Sequence, residues 1–129
     1  MRKLPFIFVF LSLLCACSGA MTSEEYASWW AKNYYEALLR GDYETFLAGK
    51  DGVDSIPDTY REQLLVGYKQ FMLQQEKSHH GINDIRIVTA KRDTTFNYMN
   101  VFLMFCFGDS TNEQVSVPMV ERNGIWKMK

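Results

Sequence analysis

Three features that are scarce or absent in this sequence limit the classes of protein to which it can belong. Cysteine occurs three times in 129 residues, which leaves little room for the disulfide framework of a small secreted scaffold. Basic residues are not in excess: 14 Lys and Arg face 15 Asp and Glu, and no basic stripe with interleaved aromatics is present. No apolar run approaches the ~20 residues that a bilayer-spanning helix needs. The sequence therefore favours one domain with its own core and argues against a nucleic-acid partner and a permanent transmembrane segment.

The amino terminus has the layout of a secretory signal peptide. Arg2 and Lys3 precede an apolar run from Leu4 to Leu14 that is broken only by Pro5 and Ser12. A short basic start followed by a short apolar run is typical of an export signal that is later removed. Residues 1–16 are accordingly assigned to a signal peptide and excluded from the fold.

The signal ends in the letters LCAC, residues 14–17, which resemble the lipobox of bacterial lipoproteins. Such a motif has a branched apolar residue, two small residues and the cysteine that receives diacylglycerol before cleavage. Cys17 fits, with Ala16 before it and Leu14 three positions earlier, whereas Cys15 would place bulky Leu14 at the cut. The prediction is lipidation at Cys17, and ordinary secretion is the alternative. Cys106 is then the one remaining cysteine, expected as a small hydrophobic residue of the core.

The resemblance also implies a location. Residues 17–22 form a short lipidated tether, and Ser18 after the cysteine is similar to lipoproteins sorted to the outer membrane. Removal of Arg2 and Lys3 leaves 12 basic against 15 acidic residues, a side-chain charge of about −3 for the mature chain. The expected partner is the membrane, through the lipid on Cys17, in the bacterial cell envelope with the domain facing the periplasm.

Residues 23–129 read as one α+β domain that begins with helices. Thr22 or Ser23 can cap the first helix, with Glu25 completing a capping box, and Gly41 stops it. Its apolar stripe is predicted as Tyr26, Trp30, Tyr34, Ala37 and Leu38. Asp42 caps a short second helix. A third helix runs to His80, with Ser55 and Asp58 as a second capping pattern and Pro57 in its first turn.

After Gly81 the apolar period changes from helical to alternating, which predicts an antiparallel sheet of about four strands. Residues 84–93, 96–109, 113–121 and 125–129 are the predicted strands, and the letters RNG, residues 122–124, make the last hairpin. The second strand is apolar on both faces, so it is expected to be central and covered twice.

This order is similar to the nuclear transport factor 2-like superfamily, and in particular to small Gram-negative lipoproteins with such a domain. The matching motifs are Tyr35 to Leu38 with Arg40, Gly41 to Tyr43, and Gly124 to Lys127. The resemblance covers nearly all of residues 23–129 and implies three amino-terminal helices packed in a bent antiparallel sheet, a cone with a cavity at its open end. Members are enzymes, small-molecule carriers or dimerising adaptors.

A cavity in such a cone could bind a small, mostly apolar ligand. The candidate ligand-binding residues combine aromatic and apolar side chains with a few polar groups. They are Tyr34, Tyr68, Phe71, Met72, Asn100, Phe102, Met104 and Trp126. Plain core packing is the alternative for most of them.

Catalytic and metal-binding residues are not predicted. Asp84, Asp93, Asp109 and Glu121 all stand at strand ends or turns, where a solvated charge is expected. Adjacent helical residues point about 100° apart, so the neighbouring histidines at the end of the third helix cannot readily share a metal ion. No cofactor is implied.

The leading interpretation is a non-catalytic domain that binds a small ligand or a partner protein. An isomerase or dehydratase that uses a tyrosine and His79 in the cavity is the runner-up, and a homodimer or adaptor built on Tyr98, Phe102 and Met104 is a third. Trp29 stands outside the apolar stripe of the first helix. It is expected either at the membrane interface or under a sheet edge or a partner subunit.

Overall fold

The computed structural model describes residues 20–129. The predicted signal peptide, Cys17 and most of the tether lie outside these residues. Three helices, α1 (Ser23–Leu39), α2 (Tyr43–Ala48) and α3 (Asp58–His79), precede four strands, with a 3₁₀ turn at Val53–Ser55 before α3. The strands are β1 (Ile82–Asp93), β2 (Tyr98–Phe107), β3 (Asn112–Arg122) and β4 (Ile125–Met128). They pair as an antiparallel meander in the order β1-β2-β3-β4. The predicted α+β class and element order are confirmed.

Local sequence patterns predicted the starts of the first two helices correctly. The Thr22 hydroxyl accepts from the Glu25 amide while the Glu25 carboxylate accepts from the Thr22 amide, at 3.1 and 2.8 Å, so the capping box is formed. The Asp42 carboxylate accepts from the Thr45 amide and caps α2. Each bond satisfies a backbone N–H that the helix itself leaves without a partner.

The predicted cap of α3 is wrong. The helix begins at Asp58 after Pro57, with no side-chain cap. The Ser55 hydroxyl instead donates to the Gly52 carbonyl at 2.9 Å, inside the 3₁₀ turn. Because this turn uses the serine locally, the serine does not cap the helix that follows.

The buried face of α1 differs in part from the predicted stripe. Tyr34, Ala37 and Leu38 are buried as expected, but Tyr26 is 45 % exposed. Two small residues, Ala27 and Ala31, are completely buried instead. Small side chains one turn apart let the helix backbone approach the sheet closely, and this shifts the contact face away from Tyr26.

The core lies between α1 and one face of the sheet. Alternate residues of β2 point into it, and each is at most 5 % exposed: Met99, Val101, Leu103, Phe105 and Phe107. Leu103 pairs with Ile87 of β1 on one side and Val115 of β3 on the other. The core continues into β3 and β4 through Val117, Met119, Trp126 and Met128. The inner position of β2 was predicted correctly.

The opposite face of β2 is not covered by any element within residues 20–129. Its side chains alternate with the core residues and are half-buried. The prediction that β2 is covered on both faces is therefore wrong for the described part of the chain. All three helices lie on the core side of the sheet, because the apolar residues of α1 and α2 have their partners there.

Strand β4 is clamped between the sheet and the loop after α2. The Met128 amide donates to the Gly49 carbonyl at 2.7 Å, and the Met128 carbonyl accepts from the Asp51 amide at 2.8 Å. The guanidinium of Arg122, in β3, donates twice to the Asp51 carboxylate, at 3.0 and 2.8 Å. These contacts close the helical layer onto the end of the meander.

A polar cluster holds the carboxyl end of α3 to the turn between β2 and β3. The Asp109 amide donates to the His79 carbonyl at 2.9 Å, and the Asp109 carboxylate lies 3.1 Å from Nδ1 of His79. The His79 ring stacks on Phe107 with centroids 4.3 Å apart. Since α3 has no fully buried residue, this cluster is one of its main attachments to the sheet.

Acid should loosen this attachment. Hydrogen bonds from the Thr111 hydroxyl and amide, with His79 as a further partner, lower the pKa of Asp109 from 3.8 to about 2. A carboxyl group whose pKa is lower in the folded state stabilises the fold above its unfolded pKa and loses that contribution as pH falls through its folded pKa. We expect the urea midpoint of Asp109→Asn to fall less than that of the wild type between about pH 4 and pH 2. Glu62→Gln, on the exposed side of α3, is the control and should follow the wild type; equal slopes for all three proteins would contradict the prediction.

Candidate functional site

The eight predicted ligand-binding residues do not line a common cavity. Tyr34 and Trp126 are buried in the core. Three residues stand on α3, where Tyr68 and Met72 pack against the core and Phe71 is exposed. Asn100, Phe102 and Met104 point to the opposite face of the sheet, because they alternate with the core residues of β2. Ligand binding by these residues stays a prediction, and it would need more than one site.

The interior between helix and sheet is filled by side chains at the position of Tyr34. Its hydroxyl donates to the Trp126 carbonyl at 2.6 Å, and the two residues are only 6 % and 5 % exposed. The Tyr34 ring lies against Gly49, where an added Cβ would come within 2.6 Å of it. Burial raises the pKa of Tyr34, so the phenol is neutral and acts as a hydrogen-bond donor.

A second aromatic group joins α1, α2 and α3. The Phe46 ring meets Tyr35 and Tyr68 edge to face, with centroid distances of 5.1 and 4.9 Å. The Tyr68 hydroxyl is buried and has no hydrogen-bond partner within residues 20–129. Burial raises the pKa of both tyrosines. An unpaired buried hydroxyl is unusual in a folded protein, which makes Tyr68 the one interior polar group here with unused bonding capacity.

A mostly apolar strip lies on the outward-pointing side of β2, called here the outer sheet face. Its residues are half-buried by their neighbours on β1 and β3. They are Tyr98, Asn100, Phe102, Met104 and Cys106. Phe102 pairs with Thr89 and Ser116, and Met104 pairs with Arg86 and Gln114. The aromatic and thioether side chains thus form an apolar strip with polar residues on both sides.

A cavity, called here the α1–β1 groove, lies between the start of α1 and the edge strand β1. It encloses about 410 Å³. Its walls are formed by Met21, Glu24, Glu25, Ser28, Trp29, Ile87, Thr89 and Ala90. Trp29 is 50 % exposed even though β1 lies opposite it, so the sheet edge covers it only in part. Sequence reasoning singled out Trp29 but missed Ile87 as its neighbour, because helical periodicity does not say which strand edge a helix lies along.

Two further cavities, each of about 190 Å³, lie at the clamped end of the domain. One is bounded by the loop after α2 and the start of α3, including Tyr60 and Leu64. The other lies beside Trp126 and is lined mainly by polar residues, including Arg92 and Arg122. Of the eight predicted ligand-binding residues, only Trp126 lines either of these two cavities.

No Asp, Glu, Lys, Arg or His side chain within residues 20–129 is buried. Ser28 is the buried polar residue within residues 20–129, and its hydroxyl donates to the Glu24 carbonyl at 2.7 Å. Residues 20–129 contain no group of three or more His, Cys, Asp or Glu side chains that could hold a metal ion. Asp84 is bonded to Arg86 on the surface, and that bond lowers its pKa.

Cys106 and His79, the last residue of α3, cannot act together. His79 stacks on Phe107, which points into the core. Cys106 precedes Phe107 in β2, so it points to the outer sheet face. Contrary to the expectation of a buried core residue, Cys106 is half-buried on that face. The strand itself separates the thiol from the imidazole.

Comparison with known proteins supports the architecture. A structure search matches a Campylobacter jejuni protein that is named, provisionally, an NTF2-like transpeptidase, with a TM-score of 0.59 and 16 % sequence identity. The alignment covers 76 % of this chain and 92 % of that one. The chain has the nuclear transport factor 2-like fold. At this identity the likeness concerns the fold and not the activity.

Sequence comparisons add no relative. No family model matches the chain, and no curated protein matches it. Within residues 20–129, the helices are too short or too polar for any of them to cross a bilayer.

Loss of the hydroxyl group should change the free energy of unfolding differently at Tyr34 and at Tyr68. Tyr34→Phe removes the donor to the Trp126 carbonyl and leaves that acceptor buried, so we expect the free energy of unfolding to fall by about 1 to 2 kcal/mol. Tyr68→Phe removes a hydroxyl that has no partner in the described region, so stability should be unchanged or higher. Urea denaturation of the two variants measures the difference. Equal destabilisation would show that the Tyr68 hydroxyl has a partner in solution.

Proposed function

We propose that this chain is a bacterial lipoprotein that is anchored through Cys17 and faces the periplasm from the outer membrane. In this proposal the nuclear transport factor 2-like domain works by binding a protein partner and not by catalysis. The anchor rests on the basic and apolar start of the sequence and on the four lipobox-like residues 14–17. The binding role rests on the outer sheet face.

The observation that carries the binding role is the apolar character of both faces of β2. The core face packs against α1, while Phe102 and Met104 on the other face meet no covering element within residues 20–129. Half-exposed aromatic and methionine side chains in a continuous strip are typical of protein contact surfaces. The polar neighbours Thr89, Gln114 and Ser116 would form the rim of such a contact.

Two findings support binding over the isomerase or dehydratase alternative, and a third argues against acyl transfer. Tyr34 and Trp126 fill the interior in which such an enzyme would need a substrate cavity. Among residues 20–129, no carboxylate or imidazole is fully buried in that interior to serve as an acid or base. The transpeptidase name of the Campylobacter protein implies acyl transfer, which uses a nucleophile beside a base. Cys106 and His79 lie on opposite faces of the sheet and do not form such a pair.

A small ligand is the second candidate, and one observation favours it. The Tyr68 hydroxyl is buried without a partner in the described region and lies among the rings of the second aromatic group. A polar atom of a small, mostly apolar molecule would satisfy it.

Lipidation can be tested by comparing variants of Cys15 and Cys17. Cys17→Ser removes the lipid acceptor, so we expect the variant to keep its signal peptide and its amino-terminal peptide to carry no diacylglycerol in mass spectrometry. Cys15→Ser is the matched control, because Cys15 leaves with the signal in this proposal, and it should be processed like the wild type. A wild-type mature chain without lipid, or loss of lipid in the Cys15 variant alone, would contradict the proposal.

Partner binding can be tested on the outer sheet face in intact cell envelopes. A photo-crosslinking phenylalanine analogue at Phe102 should give a discrete adduct, and Met104→Asp should abolish it by adding a charge to the strip. The same analogue at Leu73, exposed on α3, is the control and should give no such adduct. Digestion and mass spectrometry would distinguish a second copy of the chain from another protein. No adduct at Phe102 would refute this surface as the binding face.

A further inference from the structure

We propose that the α1–β1 groove is a membrane-contact surface that lies against the headgroups of zwitterionic phospholipids and fixes the orientation of the domain. This inference rests on the proposed lipid anchor at Cys17. It adds to that anchor a second, non-covalent contact made by the folded domain.

Three large exposed apolar side chains lie at this groove. Met21, Trp29 and Ile87 line it and are 41 %, 50 % and 44 % exposed. Large apolar residues from the segment before α1, from α1 and from β1 thus share one surface. Single exposed apolar residues are common on proteins, but a group of them indicates a contact surface.

The length of the tether places this surface near the bilayer. Met21 is four positions after Cys17, and a fully extended chain over four such steps spans at most about 14 Å. Met21 lines the groove itself. A lipid on Cys17 would therefore keep the groove close to the bilayer. The reach of the tether is roughly the depth of one headgroup layer and the first few ångströms of the acyl chains.

The side chain of Trp29 suits the depth that the tether defines. Indole combines an apolar ring with an N–H donor and is enriched at the membrane–water interface. The ring meets Trp30 edge to face with centroids 5.1 Å apart, which supports it in an outward position. Trp30 in turn packs against the core, so the exposed indole stands on a rigid base.

The charges of the groove indicate which lipids it fits. Glu24 and Glu25 are its charged lining residues, and neither lysine nor arginine lines it. The Glu25 carboxylate is held by the Thr22 amide in the capping box and cannot turn away freely. Anionic headgroups would be repelled by these carboxylates, whereas zwitterionic headgroups such as phosphatidylethanolamine offer an ammonium group to them.

The proposal can be tested with the lipidated full-length protein in vesicles of phosphatidylethanolamine and phosphatidylcholine. Phosphatidylcholine brominated near the headgroup end of its acyl chains quenches tryptophan fluorescence only at short range. We expect quenching in the wild type and its loss in Trp29→Phe, because the other two tryptophans are shielded: Trp126 is buried in the core, and Trp30 packs against the core behind Trp29. Replacing half of the zwitterionic lipid by phosphatidylglycerol should leave the quenching unchanged or reduce it.

Charge variants separate the groove from the rest of the surface. Met21→Glu and Ile87→Glu should each reduce the quenching roughly two-fold or more, since a carboxylate is disfavoured in the bilayer. Ile125→Glu is the matched control, because Ile125 is 40 % exposed on the opposite edge strand β4, and it should retain wild-type quenching. Met21 precedes α1, so the first variant leaves the core intact even if Ile87→Glu unfolds.

The outcomes distinguish the proposed membrane-contact surface from the proposed lipid anchor at Cys17. A lipidated protein without quenching, or with equal quenching in the groove and control variants, would overturn the membrane-contact surface and leave the anchor standing. An increase in quenching with phosphatidylglycerol would overturn the preference for zwitterionic lipid. A mature chain without lipid on Cys17, recognised by mass spectrometry, would overturn the anchor and with it the tether on which this inference depends.

Discussion

The apolar character of both faces of strand β2 is the constraint on which this domain depends. Three helices lie on the same side of the sheet, so they can bury Leu103 and its core neighbours but not Phe102 and Met104. Burial of the first set gives the fold its core, since each large side chain removed from water contributes about 1.5 to 3 kcal/mol. The second set stays at the surface, and it makes an uncovered sheet face the most distinctive feature of the described molecule.

Local patterns in the sequence predicted local structure well. The capping box at Thr22 and Glu25 and the cap at Asp42 were predicted correctly because each depends on residues three positions apart. The alternation of β2 predicted its two faces because successive residues of a strand point to opposite sides of the sheet. The cap of α3 failed because Ser55 serves a turn that has its own local hydrogen bond.

The candidate site was harder to predict because periodicity tells which residues share a face and not which faces meet. Tyr34 and Asn100 are both polar-tipped residues in apolar surroundings, yet they lie on opposite sides of the sheet. The buried stripe of α1 moved to Ala27 and Ala31 because close approach to a sheet favours small residues over large aromatic ones. Neither the unpaired Tyr68 hydroxyl nor the closeness of Trp29 to Ile87 has a signature in the sequence, since both depend on tertiary packing.

The clamp on β4 has a consequence for the order of folding. The contacts that close the helical layer join residues far apart in the chain, as in the bond from Lys127 to the Ala48 carbonyl across 79 positions. Long-range contacts of this kind form late, because the entropy of closing a large loop must be overcome first. The helices and the first two strands can therefore be made while the domain is still open. The loop after α2 therefore stays unattached to the sheet until the final strand has paired.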